Sequence, residues 1–256
     1  MVLPLYLALT AAEISSVSSV PERCAFMACH FSPYTEGLSN IPASLPNGAM
    51  LILNDRFPCQ GHSADLAANQ ISEAALCLGC ESVLLDFQRP PDPESMSIVS
   101  RILATLSCPV AVTEAFAADL NCPVFLSPAP LHLPLSDYLA PWQGREIWLE
   151  AALCQEEILV TDKGMTQHTV FPTELITGGF YEDALRCCYR TEIHDDTIRF
   201  TLYDTPESLE QKLELSASLG VARAVGLWQE LGNSFKKIKA AHLTVSGFEH
   251  KIKRDV

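Results

Sequence analysis

The sequence predicts an α/β protein, an irregular (β/α)8 TIM-type barrel with a small β-containing insertion before its last helix and strand. Three observations carry this. Eight short apolar, β-branched runs recur along the 256 residues, bounded by Pro, Gly, Asn or Asp, as strands buried on both faces of a parallel sheet require. Helical segments alternate with them where they are legible, and strand, helix, strand order implies parallel pairing. The chain is 48% apolar and 19% charged, enough to bury one large core within the usual size of such a barrel.

The eight runs are Leu5–Leu9, Cys24–Cys29, Met50–Leu53, Val83–Leu85, Val110–Thr113, Val124–Leu126, Ile147–Leu149 and Ala224–Trp228. The first helix runs from about Ser63 to Leu78, with Ala67, Ile71, Ala74, Ala75 and Leu78 at helical spacing and Gly79 as its stop. The second has Asp92 as N-cap and Pro93 in its first turn, shows Met96, Val99, Ile102, Leu103 and Leu106 on one face, and ends before Pro109. The third opens at Thr205 and Pro206, repeats Leu209, Leu213 and Ala217 in steps of four, and ends at Gly220. Linkers between the first three strands are too poor in periodic apolar residues for long helices, so the barrel is irregular there. Residues from about 155 to 200 read as the insertion, with Ile158–Thr161 and Thr197–Thr201 as antiparallel strands.

The barrel is expected to occupy residues 1–233, followed by a basic segment over 234–256. Six of the 17 basic residues, Lys236, Lys237, Lys239, Lys251, Lys253 and Arg254, fall there in a chain of net charge −14. That segment reads either as a solvated or self-docking end or as a contact for an acidic protein partner. The acidic balance excludes a nucleic-acid partner, which needs a basic surface. Met1–Thr10 lacks a basic flank, Pro4 interrupts it and Glu13 closes it, so it reads as a buried strand and not as a signal peptide. No stretch reaches the roughly 18 apolar residues of a membrane span, and a soluble, cytoplasmic protein is expected. The ten cysteines read mostly as buried core thiols. Cys77 and Cys80 form a CxxC without a second pair at zinc spacing.

A parallel barrel gathers function at the C-terminal ends of its strands. The polar residues there are Glu13, His30, Asn54, Asp55, Arg56, Asp86, Gln88, Arg89, Glu114, Ser127, Glu150, Trp228 and Gln229. Converging on one mouth, they suit a polyhydroxylated ligand, with Trp228 as a stacking floor and Asp86, Gln88, His30, Asp55 and Arg89 as hydrogen-bonding groups. Asp86, Glu114 and Glu150 are the candidate catalytic carboxyls. Asp55 and Arg56 are expected to neutralise one another at the rim. Strand ends also meet solvent in any fold, which is the plainer account of His30, Asn54 and Ser127. No HxH or HxxxH spacing supports a metal, and no cofactor is expected.

The segment YDTPESLEQKLELSASLGVARAVGLWQEL, from Tyr203 to Leu231, resembles the end of glycoside hydrolase family 18 barrels, where a Tyr-Asp, a Ser-Leu with a following Lys, a helix and a Trp-bearing strand come in this order. ESVLLDFQ, Glu81 to Gln88, is similar to the family signature DxxDxDxE. The resemblance places Asp86 at the third Asp and Gln88 at the Glu that protonates the leaving group, while VFLSPAP lacks the expected Tyr-Asp pair of the sixth strand. A neutral Gln cannot donate that proton, though it keeps the size and hydrogen-bonding capacity of Glu. The resemblance thus implies a catalytically silent barrel that binds a small oligosaccharide, one that includes N-acetylglucosamine. The rival readings are an active glycosidase using Asp86, Glu114 and Glu150, and a scaffold protein.

Overall fold

The computed structural model describes residues 3–16, 21, 23–170, 176 and 178–232. In chain order it runs β1 (Leu5–Leu9), α1 (Ala11–Ser16), β2 (Cys24–Phe31), β3 (Leu38–Ser39), β4 (Met50–Asn54), α2 (Ala64–Cys77), β5 (Ser82–Asp86), α3 (Pro93–Thr105), β6 (Val110–Thr113), α4 (Glu114–Ala117), β7 (Val124–Leu126), α5 (Leu135–Leu139) and β8 (Ile147–Glu150). An insertion follows as β9 (Gln155–Thr161), β10 (Gly164–Val170), β11 (Phe180–Glu182), β12 (Cys187–His194) and β13 (Thr197–Tyr203), and then α6 (Pro206–Ser218) and β14 (Val221–Leu227). Eight strands, β1, β2, β4 to β8 and β14, pair in parallel and close through the β1–β2 and β1–β14 ladders. They are the eight runs read from the sequence. The basic segment 234–256 lies outside the described residues.

The three helices legible in the sequence start where their caps place them. The Ser63 side chain accepts from the Leu66 N–H, while Asp92 and Thr205 each form a reciprocal capping box with a serine three residues on. Each such cap is worth about 1 kcal/mol. Proline at the first turn of α3 and α6 gives up a donor that has no helical partner there. Gly79 and Gly220, at φ +64° and +90°, turn the chain out of α2 and α6.

Alternation along the strands builds two cores. Tyr6, Ala8, Met50, Ile52, Leu84, Ala111, Phe125, Trp148 and Val225 fill the barrel. Their neighbours, among them Leu51, Leu53, Val83, Leu85, Val110 and Val124, pack outward beneath Ile71, Ile98, Val99 and Ile102 of α2 and α3. Fully burying each large aliphatic side chain contributes roughly 1.5–3 kcal/mol. At the N-terminal mouth the Arg223 guanidinium lies 4.9 Å from the Trp148 ring and 5.8 Å from that of Tyr6. It donates to Glu81 at 2.8 Å and Ser82 at 3.0 Å, and Glu81 also accepts from the Tyr6 hydroxyl. That end is plugged, so only the opposite mouth is left for a ligand.

The insertion is a separate antiparallel sheet, ordered β10-β9-β13-β12-β11, and its two predicted strands lie in β9 and β13, which pair directly. The motif that carried the family resemblance ties it to the barrel. Asp204, buried, accepts from the Lys212 ammonium at 2.7 and 2.9 Å, from the Ser208 hydroxyl at 3.0 Å and from the Cys154 N–H at 3.3 Å. Four of the ten cysteines are buried, five half-buried and Cys77 exposed; burial pushes the Cys29, Cys154 and Cys187 thiols up to about 12 and leaves them unreactive. No helix among the described residues is long and apolar enough to cross a membrane. Lys212→Met is expected to strand the Asp204 carboxylate in the interior and to cost about 3–5 kcal/mol in urea unfolding; a loss within about 0.5 kcal/mol would contradict this role for the pair.

Candidate functional site

The parity of the strands decides which polar residues reach the open mouth. Asn54 and Asp86 are register partners, two residues beyond inward-facing Ile52 and Leu84. Glu150 stands two beyond inward-facing Trp148. These three side chains therefore form part of the last inward layer of the barrel. Beside them opens a cleft of about 700 Å³, lined on the β1, β2, β4 and β5 side by Thr10, Met27, His30, Asn54, Arg56, Asp86, Gln88 and Arg89 among others. His30, Asp55, Asp86, Gln88 and Arg89, five residues picked from the sequence, thus share one cavity wall.

Each is held by a nameable contact. The Gln88 amide donates to Asp86 Oδ1 at 2.5 Å. Asp55 is buried, and its two oxygens accept the backbone N–H groups of Gln88 at 2.9 Å and Arg89 at 2.8 Å. The expected Asp55–Arg56 neutralisation is accordingly corrected: backbone amides 33 and 34 residues away take up the carboxylate, and the Arg56 guanidinium lies over Phe57, 5.7 Å from its centroid. His30 bonds through Nδ1 to the Phe31 carbonyl at 2.7 Å and through Nε2 to the Asn40 amide at 3.0 Å. A carbonyl only accepts and an amide nitrogen donates, which assigns the proton to Nδ1.

Two carboxyls at the mouth are displaced toward their neutral forms. Burial raises Glu150 to about 7, with the negative charges of Asp86 and Glu230 adding to it. Burial also raises Asp86, and Asp55 pushes the same way against the Gln88 hydrogen bond. Two further residues were not singled out from the sequence. Glu230, on the helical turn that opens at Trp228, accepts the Leu153 N–H at 2.6 Å and is itself raised by burial. Tyr138 of α5 donates to the Ser127 carbonyl at 2.9 Å, and burial followed by the charges of Glu114 and Glu150 pushes its phenol upward. Neither ends a strand, so a reading confined to strand ends passes over both.

Three chosen residues do not line the cleft: Glu150, which lines a second, smaller cavity with Cys154, Asp204 and Lys212, and Glu114 and Trp228. Glu114 begins α4, is exposed, and does not line the cleft; Thr113, the last residue of β6, turns its hydroxyl to the Phe87 carbonyl at 2.8 Å. Trp228 begins a helical turn one residue past β14 and packs on the outer clusters around Leu7, Leu231, Leu9 and Cys24. A side chain on Gly232 would meet its ring at 2.8 Å. The stacking floor expected at Trp228 is thus absent from the cleft wall. Leu227, opposite inward-facing Ala8, holds the mouth position instead. No cluster of three His, Cys, Asp or Glu suited to a metal occurs among the described residues.

The fold favours the protonated Glu150 carboxyl. Its stabilising contribution is complete below the ordinary value of 4.5 and is lost as the pH rises through about 7. Wild-type stability relative to Glu150→Gln is expected to fall by up to about 3 kcal/mol over that window, read by urea unfolding at stepped pH. A flat or rising difference would contradict the placement.

No protein-family profile matches the sequence, and no curated protein does. Solved structures do match. A glycoside hydrolase family 18 N-acetylglucosaminidase from Paenibacillus barengoltzii superposes with a TM-score of 0.56 at 8% identity, covering 88% of this chain and 94% of that one. A chitinase from Chromobacterium violaceum gives 0.51 at 9%, covering 88% and 93%. The spore cortex-lytic enzyme SleL of Bacillus cereus gives 0.50 at 11%, covering 88% and 70%. At such identities the likeness establishes the architecture alone: the chain shares the closed (β/α)8 barrel fold of these glycoside hydrolase structures.

Proposed function

We propose that the protein is a glycan-binding barrel that holds a short oligosaccharide in the cleft between β1 and β5 without cleaving it. The observation that carries this reading is the Asp86–Gln88 pair on the cleft wall. Where the family resemblance places a proton-donating Glu, Gln88 offers an amide that gives and accepts hydrogen bonds but has no proton to transfer. Asn54, His30 and Arg89 add convergent polar groups to a wall that also presents the apolar surface of Ala11, Ala12, Met27 and Ala28, a combination small-molecule sites use. N-acetylglucosamine oligomers are the ligands to try first, because two of the similar structures are named as an N-acetylglucosaminidase and a chitinase.

One observation favours a second reading, an active glycosidase. Glu150 is raised to about 7 with Asp86 as its electrostatic neighbour, and a carboxyl that keeps its proton near neutrality beside a second carboxyl is the arrangement acid-base cleavage of a glycosidic bond needs. Titration calorimetry with N-acetylglucosamine tetramers, followed by mass spectrometry of the spent sample, separates the two. Binding that weakens at least about tenfold in Asp86→Ala, with the tetramer intact, is the expected result. Cleavage products that vanish in Glu150→Gln would overturn the silent reading in favour of the enzyme. No binding of any glycan would overturn both.

A further inference from the structure

The cleft wall is less acidic than the chain as a whole, its two guanidinium groups standing with two carboxyls, Asp55 and Asp86. In a protein of net charge −14, the two guanidinium groups, Arg56 and Arg89, line the cleft, and both residues are exposed. Most of the other described arginines and lysines are held by partners. Arg101, Arg186, Arg199, Lys212 and Arg223 are in ion pairs, and Arg145 is bound to three carbonyls. Arg56 and Arg89 form no ion pair among the described residues. The acid nearest in sequence, Asp55, gives both oxygens to backbone amides.

The two side chains are also positioned. Arg89 donates from Nε to the Asp55 carbonyl at 3.1 Å and from Nη2 to the Arg56 carbonyl at 3.3 Å, which fixes one edge of its guanidinium on the β4–α2 loop and leaves Nη1 without a protein acceptor among the described residues. Arg56 rests over Phe57, and its own N–H is tied to the Asn54 side chain at 3.1 Å. Two guanidinium forks in no ion pair on one cavity wall, Arg89 anchored by two carbonyls and Arg56 resting on a ring, match a planar anion that accepts paired hydrogen bonds. A Glu at position 88 would have set another negative charge beside them; the neutral Gln88 does not.

We infer that the cleft takes an acidic glycan, a chain in which a sugar ring carries a carboxylate, with Arg56 and Arg89 clamping that carboxylate. A carboxylate suits the site better than a dianionic phosphate, because Asp86 shares the wall and repels the single charge less. This rests on the reading of the cleft as a glycan site and specifies which glycans it selects.

The test is calorimetric titration of the full chain at low salt with three tetrasaccharides. One is the neutral N-acetylglucosamine tetramer. The second is a hyaluronan tetrasaccharide, whose charge is a uronic acid. The third alternates N-acetylglucosamine with N-acetylmuramic acid, whose charge is a lactyl ether. At least one acidic probe is expected to bind about tenfold or more tighter than the neutral one, and which of them does so identifies the source of the carboxylate. That advantage should shrink with added salt, disappear in Arg56→Gln and in Arg89→Gln, and return in part in Arg56→Lys. Arg56 makes no side-chain bond that holds the fold, so its variants decide the matter even if Arg89→Gln unfolds. Neutral binding equal to or tighter than acidic binding overturns the inference and leaves the glycan site standing, as does an acidic preference that survives both Gln substitutions. Failure of all three probes overturns the glycan reading as well.

Discussion

In a closed barrel of parallel strands a side chain has two destinations, the interior or the shell beneath the helices, and a shift of one residue exchanges them. The rest of the structure depends on that alternation. It sends Leu51, Leu53, Val83 and Leu85 out against α2 and α3 while their neighbours Ile52 and Leu84 fill the barrel. Carried two residues further, the same inward face delivers Asn54 and Asp86 to the mouth as paired neighbours. It also sends Trp228 outside, where its ring packs on the shell and Leu227 takes its place.

The two mouths handle charge in opposite ways. At the N-terminal end Arg223, Glu81, Ser82, Tyr6 and Trp148 satisfy one another and close the barrel. At the C-terminal end burial raises Asp86, Glu150 and Glu230, and the charges of Asp86 and Glu230 push Glu150 the same way. A fold chosen for stability alone would pair or remove such groups, since each buried charge without a partner costs free energy. The fold keeps them at its open end, where Asp86 shares a wall with Arg56 and Arg89, and clusters of displaced titratable groups of this kind are what makes that end the candidate site.

The fold was legible because its signals are local. Ser63, Asp92 and Thr205 announce their helices within four residues, and β-branched runs bounded by turn residues mark the strands. Much of the insertion was not, since β10 reads Gly-Met-Thr-Gln-His-Thr-Val and is exposed over nearly its whole length; a strand without a buried face leaves no alternation to read. The site divides in the same way. Asp86 and Glu150 could be found because they end apolar runs. Asp55 could be found but not understood, because its partners are amides more than thirty residues away. Glu230 and Tyr138 reach the mouth from a helical turn and from α5, by tertiary packing that no spacing encodes. The Tyr-Asp, Ser-Leu and Lys pattern that pointed to the family forms a buried structural knot at Asp204, Ser208 and Lys212, away from the cleft.

The central claim is that a sugar chain lies against the wall made by the ends of β2, β4 and β5. Hydrogen exchange followed by mass spectrometry, with and without a saturating tetrasaccharide, tests it most directly. The account predicts slowed exchange confined to the loop from Asn54 to Phe57, the turn from Phe87 to Arg89 and the end of β2 near His30. Protection confined to the β9–β13 sheet, or none anywhere with ligand bound, would contradict it.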